Sequence, residues 1–162
     1  MASSHAVNNE NNIIMELATG KVKIELLPNV APNHVKRIKE LVSQGFYNGL
    51  KFHRVIEGFM AQTGDPSGDG TGGSGQKLKA EFNDTPHQKG TVSMARAMSP
   101  DSADSQFFIV FEDAPHLDGQ YTVFGKVISG MNHVDSIKKG NPSDNGMVEE
   151  PDIIVSMKMA SK

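Results

Sequence analysis

The sequence predicts a mainly β protein, a closed or nearly closed antiparallel barrel with two helices. Three observations carry this. Short apolar runs recur along nearly the whole chain, separated by Gly, Pro, Asn and Asp clusters that signal turns. One run, Lys21 to Leu26, alternates polar and apolar residues cleanly, as a half-solvated antiparallel strand does. Only two segments change to helical spacing, and no internal repeat is evident.

The elements follow in order. Residues Met1 to Asn12 are polar and Asn-rich and read as a flexible arm. Residues 13–162 are expected to form one domain with a single core. Ile13 to Leu17 and Lys21 to Leu26 make a hairpin through the turn Ala18-Thr19-Gly20. From Pro32 the period becomes helical, with Val35, Ile38, Leu41 and Val42 on one face. Pro32 suits the first helical turn and Gly45 the stop. Lys51 to Ile56 and Phe59 to Thr63 are two strands around the turn Glu57-Gly58. Gly64 to Gly75 is a long glycine-rich loop. Strands are expected again at Gly90 to Ala95, Ser105 to Val110, Tyr121 to Val127 and Asp152 to Met157, with a turn or 3₁₀ segment at Pro115 to Gly119. A second short helix covers Met131 to Lys138, and Gly140 to Met147 is loop.

Composition removes several function classes. The chain has 162 residues, 37% hydrophobic and 22% charged, with a formal net charge of −3, so nothing suggests nucleic-acid binding by broad electrostatics. It has no cysteine, which excludes disulfides, thiolate catalysis and Cys-ligated zinc. The N-terminal stretch has neither the basic region nor the apolar run of a secretory signal, and no segment is apolar enough to span a membrane. The expectation is a cytoplasmic monomer.

Familiar catalytic sets are missing. There is no HExxH and no Gly-x-Ser-x-Gly elbow, and no metal is expected. Gly68-x-Gly70-x-x-Gly73 matches the dinucleotide fingerprint in form, but the helix the motif requires does not follow. Ser, His and Asp are common enough that a triad assembled in space stays open. The sequence singles out the hairpin around Arg54. It places one Arg and Gln62 among bulky apolar side chains, and Arg is rarely buried without a partner. Arg54 is then either an exposed edge residue or a fixed hydrogen-bond donor at the edge of an apolar pocket. By alternation Phe59, Ala61 and Thr63 share one strand face, and Met60 and Gln62 the other. Phe59, Met60, Phe108 and Leu117 could line the pocket, although core packing alone accounts for Met60 and Phe108. Gln62, Gln106 and the backbone of Ala95-Arg96-Ala97 could hold an added peptide strand. His53 reads as structural, and Glu81 as solvated or ion-paired.

The stretches FHRVIEGFMAQTGD (Phe52 to Asp65), SMARA (Ser93 to Ala97), SQFFI (Ser105 to Ile109) and LDGQYTVFGKV (Leu117 to Val127), with the opening ATGKVKIEL and APNHV, resemble the cyclophilin family of peptidyl-prolyl cis–trans isomerases, in its bacterial-like branch. The resemblance runs from about Ile13 to Met157. It implies a closed eight-stranded antiparallel barrel capped by two helices, with a filled interior and an active groove on the outer face. It implies Arg54 as the catalytic Arg, supported by Gln62. Phe59, Met60, Phe108 and Leu117 fall on the proline pocket, and Ala95, Arg96 and Gln106 on the residues along which the peptide lies. Arg96 stands where many eukaryotic members have Asn and is expected to act chiefly through its backbone. Tyr121 stands where those members have His, and His116 where they have the Trp that binds cyclosporin, so cyclosporin binding is expected to be weak. The implied partners are proline-containing peptides and unfolded or folding proteins. The implied reaction breaks no bond and needs no cofactor.

Overall fold

The computed structural model describes residues 10–160, and the greater part of the expected N-terminal arm lies outside them. Eight strands form one antiparallel sheet in the order β3-β4-β6-β5-β7-β2-β1-β8. They are β1 (Asn12–Leu17), β2 (Gly20–Leu26), β3 (Arg54–Ile56), β4 (Met60–Thr63), β5 (Thr91–Met94), β6 (Phe107–Val110), β7 (Val123–Ser129) and β8 (Ser156–Met159). β1 and β2 alternate as the sequence pattern requires. Ile13, Met15, Leu17, Val22, Ile24 and Leu26 are buried, and the residues between them are not. Register shifts at Lys23/Ile24 and at Val92/Ser93 add the local bend and twist that curl the sheet.

The ends of the sheet meet without a regular ladder. The apolar run Ile153-Ile154-Val155 was expected inside the last strand. Instead it crosses the seam. The amides of Phe52 and Ile154 bond the carbonyls of Asp152 and Leu50, and Lys51 bridges Ile153. The Val155 amide then reaches the Glu16 carbonyl, and β8 continues along β1. One extended segment therefore serves both edges, which is why β8 begins four residues later than the hydrophobic pattern suggests. Among the described residues, seven ladders join the eight strands and no eighth joins β3 to β8, so the barrel is curled and its edges meet only through these isolated bridges, less closed than the expected barrel.

The helix α1 (Pro32–Ser43) buries Val35, Ile38, Leu41 and Val42 along its expected face. Its N-terminus has no side-chain cap of its own. Glu81 supplies one from a distant loop, accepting from the amides of Asn33 (3.1 Å) and His34 (2.9 Å) and from His34 Nδ1 (2.7 Å). The short helix α2 (Met131–Asp135) sets Val134 and the following Ile137 in the core. Among the described residues, no helix is long and apolar enough to cross a membrane.

Strand alternation splits the apolar residues into two clusters. The larger fills the barrel around Tyr47, Phe52, Phe107 and Phe124. The smaller, Met60, Phe108, Val110, Ala114 and Leu117, lies on the other face of β4 and β6. Tyr47 is wholly buried, edge-on to Phe107 at 5.4 Å, and its hydroxyl donates to the Ser105 carbonyl at 2.9 Å. Burial pushes its pKa far above the ordinary tyrosine value, so it stays a donor. Tyr47→Phe keeps the ring and strands that carbonyl. Stability is expected to fall by about 1–3 kcal/mol at an unchanged denaturant m-value, and an unaltered urea midpoint would refute this account of Tyr47.

Candidate active site

The hairpin of β3 and β4 pairs Arg54 with Gln62 and Ile56 with Met60. β6 lies beside it, with Phe108 opposite Gln62 and Val110 opposite Met60. The turn residue Phe59 precedes β4 rather than belonging to it. Strand alternation had put it with Ala61, yet it packs against the smaller cluster, because residues in the turn do not follow the pleat. Arg54, Phe59, Met60, Phe108, Leu117 and Tyr121, with Ala95 and Arg96 at the rim, line a cavity of about 150 Å³. Its walls are apolar side chains, with the Arg54 guanidinium among them.

That guanidinium is held from two sides. Nη1 donates to Gln62 Oε1 at 3.1 Å, Nε to the Asn145 carbonyl at 3.0 Å and Nη2 to Asn145 Oδ1 at 3.3 Å. These bonds use three of the five N–H groups a guanidinium carries and leave two for a ligand. Burial lowers its pKa from the ordinary value, and nearby Tyr121 works in the opposite sense, yet an arginine this basic stays charged. Asn145 had no place in the sequence reading. Its only signal was the Asn145-Gly146 turn pair in the 140–147 loop, and Asn145 does adopt the left-handed conformation such turns favour (φ 58°).

The amides behind Arg54 are fixed in direction. Arginine only donates, so Gln62 must present its oxygen to Arg54 and its nitrogen to Gln106. Gln62 Nε2 donates to Gln106 Oε1 at 2.8 Å, and Gln106 Nε2 donates to the carbonyls of Gly70 and Gly72, both at 3.0 Å. Gln62 and Gln106 thus lie beside the cavity rather than in it, along a second depression of about 240 Å³ that shares Ala95 and Arg96 with the first. The glycine-rich loop closes on Asp65, whose carboxylate accepts from the amides of Ser67 (2.8 Å), Asp69 (3.1 Å) and Gly70 (2.5 Å). Burial raises the Asp65 pKa, but these backbone donors outweigh it and hold the carboxyl below its ordinary range. The glycines here organise a loop, and no nucleotide fingerprint is formed.

A Ser–His–Asp line does assemble, behind the cavity. Asp118 Oδ1 lies 3.0 Å from His87 Nδ1 and accepts from the His87 amide at 2.7 Å, and His87 Nε2 lies 2.9 Å from Ser93 Oγ. A carboxylate only accepts, which assigns the ring proton to Nδ1 and makes Ser93 the donor to Nε2. Ser93 is fully buried, so its hydroxyl meets no ligand. The set acts as a backing instead. The His87 ring stacks on Phe108 (centroids 6.1 Å, 19°) and meets Tyr121 edge-on at 6.4 Å.

Not every expected residue reaches the cavity. His116 is exposed, its ring 5.6 Å from Phe59, and it is not among the lining residues. His53 is buried against the glycine-rich loop, as a structural residue should be.

A cyclophilin-type peptidyl-prolyl cis-trans isomerase family model matches residues 12–159. The chain belongs to the cyclophilin family, and it is an isomerase of that class. It is 52% identical over 165 residues to a probable peptidyl-prolyl cis-trans isomerase of Brucella suis, covering 94% of this chain and 84% of the relative. To peptidyl-prolyl cis-trans isomerase B of Bacillus subtilis it is 47% identical over 131 residues, covering 80% and 91%. Among solved structures, cyclophilin AquaCyp293 of Hirschia baltica superposes with a TM-score of 0.84 at 31% identity, covering 94% of this chain and 75% of that one. A Cryptosporidium parvum cyclophilin, crystallised in the presence of the dipeptide Ala-Pro, gives 0.84 at 30% identity, covering 93% and 99%.

Three buried imidazoles frame this cyclophilin. Burial lowers the pKa of His34, His53 and His87, although Glu81, Asp65 and Asp118 respectively pull the other way. Unfolded histidines titrate near about 6.5, so below that pH the unfolded chain binds protons the folded one does not. The stability these residues give is complete above about pH 6.5 and is lost as pH falls from there through their folded values. The urea midpoint is expected to be lower at about pH 5.5 than at about pH 7.5, and equal midpoints would contradict the buried neutral imidazoles.

Proposed function

We propose that this cyclophilin accelerates rotation about X–Pro bonds in peptides and in unfolded or folding proteins by seating the prolyl ring in the 150 Å³ cavity and directing Arg54 at the prolyl nitrogen. The observation that carries this reading is the placement of a cation, restrained through three of its N–H groups, at the wall of an apolar cavity. Amide resonance sets a rotation barrier of roughly 18–20 kcal/mol. At the twisted transition state resonance is lost and the prolyl nitrogen gains a usable lone pair. A guanidinium N–H donating to that nitrogen binds the twisted state better than either planar state, which is the condition for catalysis. The apolar wall excludes water and strengthens the contact. Phe59, Met60, Phe108 and Leu117 would grip the pyrrolidine while the rest of the chain turns. Ala95, Arg96 and Gln106 would lie along the peptide, with Gln62 and Asn145 holding Arg54. Such an activity would assist protein folding in the cytoplasm.

The deciding experiment is a protease-free NMR exchange measurement on a short Ala-Pro peptide. Arg54→Ala is expected to lower kcat/KM by roughly 10²–10³, the usual cost of losing one preorganised donor. Equal acceleration by both proteins would remove Arg54 from the mechanism. Peptide binding without acceleration by the wild type would make the groove a binding module. Phe108→Ala is expected to weaken peptide binding as well as turnover, because it removes a large part of the cavity wall. Unchanged peptide affinity in a folded variant would sink the pocket assignment.

A further inference from the structure

Arg96 was expected to act through its backbone, yet its side chain is the most heavily bonded group at the cavity rim. Nε and Nη2 donate to the Gln120 carbonyl at 3.1 and 2.9 Å, and Nη1 donates to the carbonyls of Ala97 and Met98 at 3.0 and 3.1 Å. Because guanidinium N–H bonds lie in the plane of the group, these contacts fix that plane. Two aromatic rings lie within cation–π distance of it. The guanidinium carbon lies 4.8 Å from the centroid of Tyr121, which lines the cavity, and 5.9 Å from that of Phe82, which does not.

Phe82 is 41% exposed, unusually open for so large an apolar side chain, but its neighbours on both sides are anchored. The Glu81 amide donates to Thr122 Oγ1 at 2.9 Å, and the two N–H bonds of Asn83 Nδ2 are shared among the carbonyls of Glu81 (3.0 Å), Val123 (3.2 Å) and Val30 (3.3 Å). The residues on either side of Phe82 are thus anchored to the two that follow Tyr121. Tyr121 in turn meets Phe108 edge-on at 5.7 Å. We propose that Phe82 and the Arg96 guanidinium form a strut that fixes Tyr121 in the cavity wall, making Phe82 a positioning residue for the isomerase reaction. The proposal rests on the reading of that cavity as the prolyl pocket. Phe82 supplies one ring, Arg96 transmits its position, and Tyr121 presents the result to the substrate.

The test uses the full chain with ring-¹³C-labelled tyrosine. The two tyrosines give two sets of resonances, and buried Tyr47 reports an intact fold. Phe82→Ala and Phe82→Leu are expected to shift and broaden the Tyr121 signal of the free enzyme while leaving Tyr47 in place. KM for the Ala-Pro peptide should rise about 2- to 5-fold with kcat changed less, the size of one exposed cation–π contact. Phe82→Trp, which retains a ring for the guanidinium, should restore both readouts. An unmoved Tyr121 signal in Phe82→Ala overturns the strut, and if KM still rises, Phe82 touches the peptide itself. Wild-type KM and Tyr121 signal in Phe82→Leu would also overturn it, since leucine keeps bulk but not the ring. Should the wild type fail to isomerise the peptide, the prolyl-pocket reading falls, and the Tyr121 signal still decides for or against the strut.

Discussion

The site depends on the register of four short strands. Arg54 pairs with Gln62, Gln62 with Phe108, and Phe108 with Ser93, so one row across β3, β4, β6 and β5 carries a cation, an amide, a ring and the hydroxyl behind that ring. The neighbouring residues Val55, Ala61 and Ile109 belong to the barrel core. Side chains alternate with a period of two, so a slip of one residue would turn Arg54 inward and expose the core. The apolar interior and the functional face are therefore selected by the same pairing, and the hydrophobic effect that seats Val55, Ala61 and Ile109 also aims Arg54 outward. Gly64 protects this register at the end of β4. It has φ 96°, and a Cβ there would come 2.5 Å from the Ser105 carbonyl.

From that row a directional chain of hydrogen bonds runs outward. Arg54 can only donate, which orients Gln62, which orients Gln106, which ends on the carbonyls of Gly70 and Gly72. Those glycines sit in a loop gathered around the Asp65 carboxylate. No member can flip without leaving a donor facing a donor, and leaving partly buried polar groups unpaired is costly. A reaction that breaks no bond draws its acceleration from groups already in place when the substrate twists, and under the proposed mechanism this rigidity is what would hold Arg54 in place.

How much of this was legible in the sequence follows from the range of each interaction. The β1–β2 hairpin, the α1 face and the Arg54–Gln62 hairpin are written in short-range periodicity and all form, although β3 starts at Arg54 rather than Lys51 and β4 at Met60 rather than Phe59. The family motifs brought together most of the cavity wall, including Phe108 and Leu117. The contacts that escaped come from residues far apart in sequence. Asn145 reaches Arg54 across 91 positions, Glu81 caps α1 across 47, and His87 meets Asp118 across 31. None has a local signature beyond a turn residue or a polar side chain. The displacement of β8 has a related cause: the apolar run Ile153 to Val155 crosses the seam of the barrel, where only Ile154 is buried, and hydrophobicity alone does not tell a seam from a strand. Phe59 misled for the opposite reason, since a period of two was extended into a turn that does not keep it.

The split into two apolar clusters also explains why the site lies outside the barrel. An eight-stranded barrel has room for side chains, or at most one small ligand. Here Tyr47, Phe52, Phe107 and Phe124 occupy that interior. The proposed peptide site therefore lies on the outer surface, where apolar side chains would ordinarily face water. Met60, Phe108 and Leu117 escape that penalty because Phe59, Ala95 and Tyr121 pack around them. The pocket is in effect a second, smaller core with one wall missing. What keeps it from closing on itself is its polar scaffold: the His87–Asp118–Ser93 line behind Phe108 and the Arg96 bonds beside Tyr121. Apolar contacts alone are non-directional, whereas these donors and acceptors have fixed directions and tie the Phe108 and Tyr121 walls to the surrounding backbone.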